Sequence, residues 1–268
     1  MPYLYLFILA VIQGITEFLP ISSSGHLAAM PQVMAWPDQG LLIDVSVHLG
    51  TLLAVMLYFR RDVMALACGG LAVIGVGKKC QAQAKLFRLL VLASLPVLAA
   101  GGVLAVSGYG EIFRRVDIIA AASIGFGLLL YLADQKGGND KFYQNMQARP
   151  ALMIGLAQVL ALIPGASRAG VTMTAARMLG FKRTEAARFS MLLSIPVILA
   201  AGSWSTYQLI TTGTSGDLAG AAFAAVISFL TALAAIHFLM TWLKRASMTI
   251  FVIYRVLFGA ALLAFLVF

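Results

Sequence analysis

Apolar runs dominate the chain, and they fall into two classes by length. Residues 45–59, 89–108, 118–133, 189–210, 218–240 and 249–268 read as spans, given that a membrane-crossing helix needs about 20 predominantly apolar residues. Two other runs stop early: residues 3–19 form a helical pattern that turns polar at Gln13 and meets Pro20, and residues 151–163 stop at Pro164. Proline offers no N–H to a helix interior, which ends each run. A polar tip and a short apolar stretch follow in both cases, Leu27–Met34 (with Pro31 expected to kink it or end it early) and Met173–Leu179. The pattern predicts an all-α integral membrane protein with six transmembrane helices and two re-entrant helix–loop–helix hairpins. Irregular backbone at that depth is tolerated only where protein or a wet cavity surrounds it.

The hairpins resemble each other. Pro20 and Pro164, Ser23 and Ser167, and Ser46 and Ser190 are each 144 residues apart. This predicts one membrane domain, 1–268, built from a first repeat of about 1–133 and a second of about 150–268. Three spans per half make the second repeat inverted, so the tips enter from opposite faces. Inverted repeats with broken helices place ligand sites at the midplane, where such tips meet.

Composition agrees with a membrane protein: 61% of residues are hydrophobic and 11% charged, well away from the usual soluble proportions. The net charge of +9 does not point to nucleic acid, because of where the basic residues fall. If 62–88 is a cytoplasmic connection, alternation puts 134–150, 181–188 and 241–248 on the same side, and 15 of the 19 Lys and Arg lie in those regions and the adjoining helix ends. That is the positive-inside distribution, and it places both termini on the non-cytoplasmic side. The first basic residue is Arg60, so the N-terminal apolar run lacks the positive flank of a cleavable signal peptide. Cys68 and Cys80 form no C-x-x-C pair and read as two plain thiols.

The chemistry concentrates at the tips. Gln13 to His26 reads Q-G-I-T-E-F-L-P-I-S-S-S-G-H and places a carboxylate, hydroxyls and an imidazole inside an apolar chain. Ionisable groups at membrane depth default to function. A serine before each short returning helix is a good N-cap, and facing helix N-termini form an anion site. Arg168 adds a planar donor fork suited to phosphate. Ser23 and His26 are three apart and share a face if a helix starts there, so His26 can take the Ser23 proton. Glu17 can orient His26, act as a base on water, pair with Arg168 or hold a divalent metal, with Gln13 as a neutral neighbour. Ser22, Ser23 and Ser24 can equally be caps, and Thr172 can bind phosphate or back-bond to its own helix. Asp44, Ser46 and His48 read as interface residues, Arg255 as a snorkelling side chain, and His237 as a satisfied core histidine. An intramembrane serine protease would pair Ser23 with His237, leaving Glu17 and Arg168 without a role.

The first motif resembles the signature of the bacitracin-resistance family of undecaprenyl-pyrophosphate phosphatases, in which an acidic or amide residue and a glutamate precede L-P-[VI]-S-S-[ST]-G-H. P-G-A-S-R-A-G-V-T resembles its second signature, P-G-x-S-R-S-x-x-T, and D-V-S-V-H-L-G-T-L-L-A-V and I-Y-R extend the similarity over nearly the whole chain. The resemblance implies a multi-pass phosphatase of the bacterial plasma membrane. It would hydrolyse undecaprenyl diphosphate to the monophosphate, recycle the carrier for peptidoglycan synthesis and confer bacitracin resistance. It implies catalytic residues Glu17, Ser23, His26 and Arg168, phosphate contacts from Ser22, Ser24, Ser167, Arg168 and Thr172, and a divalent cation, Mg2+ or Ca2+, at Glu17 with Gln13. The expected partners are the polyprenyl diphosphate, membrane lipids and, as an option, a second copy in a homodimer. A transporter or flippase of the same lipid is the competing class, because inverted repeats are also a transporter signature. Gln13, Ala169 and His48 depart from residues found in some members.

Overall fold

The structure is a computed structural model that describes residues 3–34, 36, 39–76, 80–107, 109–212 and 217–267. Lys78 and Lys79, two of the basic residues counted above, lie outside them. The described chain is helical: α1 (Tyr3–Thr16), α2 (Ser23–Met34), α3 (Leu41–Tyr58), α4 (Arg60–Val73), α5 (Gln81–Ser107), α6 (Val116–Lys136), α7 (Ala148–Gln158), α8 (Arg168–Met178), α9 (Arg183–Thr212), α10 (Leu218–Trp242) and α11 (Thr249–Val267). Six of these, α3, α5, α6, α9, α10 and α11, are long and apolar enough to cross a membrane. The chain is a multi-pass membrane protein.

The two short apolar helices stop where the prolines require. α1 ends at Thr16 and passes through a turn containing Pro20. α7 continues as a 3-10 turn over Val159–Leu162 before Pro164. The returning helices α2 and α8 have 12 and 11 residues, too few to cross a bilayer. Their tips touch: Gly165 N–H donates to Ser22 Oγ at 3.2 Å. α1 packs on α10 and α7 on α5, α3 packs on α9 and on α10, and α6 pairs with α11. Each half's first hairpin helix therefore leans on a span of the other half, an exchange compatible with the expected inverted repeat. The largest cluster of buried apolar residues lies among these crossings and includes Phe18, Leu52, Val55, Met173, Phe189 and Ile236.

Several expectations need correction. Residues 62–88 are not a connecting loop throughout: α4 occupies the first part and packs on α5. Asp62 ties the start of α4 to α9. It is buried because Arg188 donates to both its oxygens at 2.7 Å and Tyr143 Oη donates at 2.9 Å. Burial, and then the carboxylate of Asp62, push the Tyr143 phenol up to about 12, which keeps it a donor. The same α4–α5 approach brings the Cys68 and Cys80 Cα atoms to 5.5 Å, and their sulfurs are bonded rather than free. Spacing alone did not reveal that approach. Pro31 does not stop α2, which runs on to Met34. The Gln32 side chain adds hydrogen bonds there, from Nε2 to the carbonyls of Ala28 at 2.9 Å and Arg114 at 3.0 Å. His237 is exposed on α10, edge-on to Tyr58, rather than in the core.

Close helix approach at Gly50 gives a test of this packing. A Cβ there would collide with the Ala225 carbonyl of α10, whereas one at Gly102 would meet nothing within 4 Å. Gly50→Ala is expected to lower stability in detergent by about 1–3 kcal/mol, the usual cost of overpacking. Gly102→Ala should leave the thermal midpoint unchanged or slightly raised. Thermal unfolding of the two purified variants checks both.

Candidate active site

Among the described residues, only two that are not glycine have positive φ: Ser22 at 79° and Ser167 at 68°. Such geometry is costly without support and clusters at functional sites. Each serine is held by its own cap. Ser22 Oγ accepts from Gly25 N–H at 3.2 Å, and Ser167 Oγ accepts from Gly170 N–H at 3.1 Å. Two of the hydroxyls expected to contact phosphate, those of Ser22 and Ser167, thus accept from helix N-termini. The caps also correct the register of the repeat. Ser22 and Ser167 are 145 apart, as are Gln13 and Gln158, and Gly25 and Gly170. The structural counterpart of Ser167 is Ser22, not Ser23, and the counterpart of Ser23 is Arg168.

Ser23 and Arg168 are therefore the first residues of α2 and α8, and both reach the same carboxylate. Ser23 Oγ donates to Glu17 Oε2 at 2.6 Å, and Arg168 Nη2 donates to Oε1 at 3.0 Å. Gln13 Nε2 donates to Oε2 at 3.0 Å from one turn earlier on α1. Arg168 is fixed further by Nη1 donating to the Ser190 carbonyl at 3.1 Å and by the Phe18 ring 5.7 Å away. Glu17, Ser23, Ser24, Ser167 and Arg168 line a cavity of about 490 Å³, with apolar walls from Val97, Leu162, Val197 and Ile198.

Two histidines lie elsewhere than expected. His26 does not meet Ser23. Its Nδ1 lies 2.7 Å from the Ser22 carbonyl and its Nε2 2.6 Å from Tyr254 Oη, with the ring stacked on Phe258 at 4.1 Å. A carbonyl only accepts, so Nδ1 carries the proton and a neutral ring accepts from the tyrosine through Nε2. The helix start explains the displacement: a residue four positions after the cap carbonyl turns its ring back toward that carbonyl and the α11 side. His48 instead lines the cavity, with Nδ1 donating to the Asp44 carbonyl at 2.7 Å and Nε2 4.0 Å from Glu17 Oε2. Asp44, Gln39 and Arg114 lie on the same cavity wall. Asp44 and His48 sit four apart on α3, so their shared face was visible in the sequence, but nothing there tied it to Glu17. Ser46 only back-bonds, to the Leu42 carbonyl at 2.8 Å.

Thr172 takes the second of its two readings. Its hydroxyl donates to the Arg168 carbonyl at 2.8 Å and pairs with Ser190 Oγ at 2.7 Å. Arg255 does not snorkel. It is fully buried and donates to carbonyls of both tips: Gly165 at 2.8 Å, Ala166 at 2.9 Å and Pro20 at 3.4 Å, with Ser123 of α6 at 3.1 Å. A charge inside a predicted span was the signal that should have raised it above a snorkelling residue.

With this geometry in place, comparison with known proteins is decisive. The family described as Bacitracin resistance protein BacA matches residues 6–261, which include both hairpins. The chain belongs to this family. It is 46% identical to the undecaprenyl-diphosphatase of Erythrobacter litoralis over 99% of this chain and 100% of that one. It is 48% identical to the undecaprenyl-diphosphatase of a Jannaschia species over 96% of both chains. The undecaprenyl-diphosphatase of Maricaulis maris is 47% identical over the full length of both.

Arg255→Met removes the donor shared by the two tips. Carbonyls left unpaired at this depth are each expected to cost on the order of 1–3 kcal/mol. The variant should therefore lose thermal stability and disturb the Ser23–Glu17–Arg168 contact together, while Arg255→Lys should keep part of both. Thermal unfolding measured alongside phosphate release tests the pairing.

Proposed function

We propose that this protein hydrolyses undecaprenyl diphosphate to undecaprenyl phosphate and inorganic phosphate, as its relatives' names describe, and that the cavity at Glu17 is where it does so. The observation carrying this reading is the convergence of Ser23 and Arg168, the leading residues of two facing helices, on Glu17 inside a cavity with apolar walls. Helix N-termini and a guanidinium supply positive potential for a diphosphate, and the apolar wall suits the lipid chain.

In the reaction we propose, Ser23 Oγ attacks the terminal phosphorus. The Oγ–P bond forms as the bond from phosphorus to the bridging oxygen breaks, and Glu17 Oε2, already the acceptor of the Ser23 hydrogen bond at 2.6 Å, takes the proton. Undecaprenyl phosphate leaves. Water then attacks the phosphoserine and releases inorganic phosphate, regenerating the Ser23 hydroxyl. Arg168 holds equatorial phosphoryl oxygens and neutralises charge in transfer. His26, tied between Ser22 and Tyr254, sets the shape of the first tip rather than moving the proton. His48 is the imidazole that faces the reacting groups.

A divalent cation fits the residues present. A hard ion such as Mg2+ can take one protein carboxylate and complete its shell with phosphate and water. Glu17 would hold it. The buried Gln13 Oε1, on the residue whose Nε2 donates to Glu17, has no hydrogen-bond partner and would be a neutral oxygen ligand for such an ion. When bound, such an ion would neutralise the diphosphate charge. We place the protein in the bacterial plasma membrane with both termini outside the cytoplasm, a reading supported by the positive-inside distribution.

Glu17→Ala and Arg168→Ala are expected to lower phosphate release from an isoprenyl diphosphate by at least about 100-fold while the proteins still elute as single species in detergent. Full activity in either variant would remove the assignment. Ser23→Ala should be inactive and should lack the phosphoserine expected on quenched wild-type protein; retained turnover would transfer the attack to water. Chelation should suppress release, and Mg2+ or Ca2+ should restore it. Because detergent abolishes transport, phosphate release there also separates hydrolysis from a purely transporting protein.

A further inference from the structure

A second cavity, of about 520 Å³, lies at the opposite end of α3 from the first. The catalytic cavity touches α3 no further along than His48, and this one begins at Leu57, about 14 Å on by helix rise. The two share no residue. The second cavity has one basic side, from Arg60, Arg61 and Arg188, and one apolar side, from Leu57 and Leu233.

The three arginines are not equivalent. Arg188 is committed to Asp62, to both of whose oxygens it donates at 2.7 Å, and Tyr143 Oη covers the same carboxylate at 2.9 Å. The acidic group in the wall is thus paired and does not repel an anion. Arg60 and Arg61 are exposed, and among the described residues neither side chain makes a hydrogen bond or ion pair. Two uncommitted guanidinium groups therefore stand at the end of a membrane span. The apolar side opens outward: Leu57 is 48% exposed on the face of α3, and Tyr58 meets the exposed ring of His237 on α10, 6.3 Å between centroids. On a membrane-spanning pair of helices, that outward groove faces acyl chains.

We propose that this cavity binds the head group of an anionic phospholipid, with its phosphate on Arg60 and Arg61 and the start of an acyl chain in the α3–α10 groove at Leu57 and Leu233. Guanidinium is the side chain best matched to a phosphate oxygen pair, and basic pockets between spans hold anionic head groups. The apolar groove is what distinguishes a lipid from free phosphate. The Asp62–Arg188 pair forms a fixed floor by tying α4 to α9.

The test uses the full-length protein in a non-ionic detergent and native mass spectrometry with phosphatidylglycerol or phosphatidylcholine added at equal mole ratio. Wild type is expected to retain the anionic lipid about ten-fold better than the zwitterionic one. Arg60→Gln with Arg61→Gln should bring the two lipids level, and Arg60→Lys with Arg61→Lys should keep most of the preference. Each single Gln variant, at an exposed position, should lose part of it, so the result does not hang on one protein preparation. Hydrolysis of an isoprenyl diphosphate should stay within about two-fold of wild type in all of these, since neither arginine touches the catalytic cavity. Equal retention of phosphatidylglycerol by wild type and the double Gln variant overturns the proposal. So does a wild type that is stabilised by inorganic phosphate but shows no preference between the lipids, which would make this a free-phosphate site.

Discussion

Two hairpin tips bring peptide carbonyls of Pro20, Gly165 and Ala166 into the buried interior, where an unpaired carbonyl costs on the order of 1–3 kcal/mol. Arg255 meets this constraint. Its guanidinium donates to Pro20 on one tip and to Gly165 and Ala166 on the other, while Nε donates to the Ser123 carbonyl of α6. A cation buried without a carboxylate would be costly alone, but several carbonyl dipoles converging on one planar fork compensate it. The same side chain reaches Gly170 so closely that a Cβ there would come within 2.6 Å of Nη1. Glycine at that position follows from the clamp.

Once the tips are joined, the caps decide what each points at. Ser22 and Ser167 spend their hydroxyls on Gly25 and Gly170, and the next residue in each case, Ser23 or Arg168, is the one free to project into the cavity. One tip contributes a hydroxyl and the other a guanidinium, and Glu17 receives both. Its position has leucine, Leu162, as counterpart in the second hairpin. The two tips thus match in backbone, each with a positive-φ serine cap, and differ in the side chain that follows it.

Basic residues of the connections and helix ends also fasten the structure. Arg177 is fully buried and donates to the carbonyls of Asp134, Gly137, Gly138 and Phe181. Asp134 accepts in turn from Arg183 at 2.7 Å and from Met248 N–H at 3.0 Å. These contacts fasten the end of α8 to the connection after α6 and to the start of α11, so the second hairpin is anchored at its base as well as at its tip.

By itself the sequence determined the class of fold, the six spans, the two proline-stopped helices and the motifs that carry Glu17, Ser23, Arg168 and the family resemblance. These are legible because helix length, proline and polarity act locally along the chain. Only the tertiary structure decided which serine caps and which meets Glu17, because a one-residue shift in register depends on where the backbone turns, at Ser22 and Ser167. It also decided that His26 faces Tyr254 while His48 faces Glu17, that Arg255 is buried between the tips, and that Cys68 meets Cys80. Each of these outcomes depends on helices distant in sequence approaching within a few ångströms, and no local pattern encodes which faces will meet.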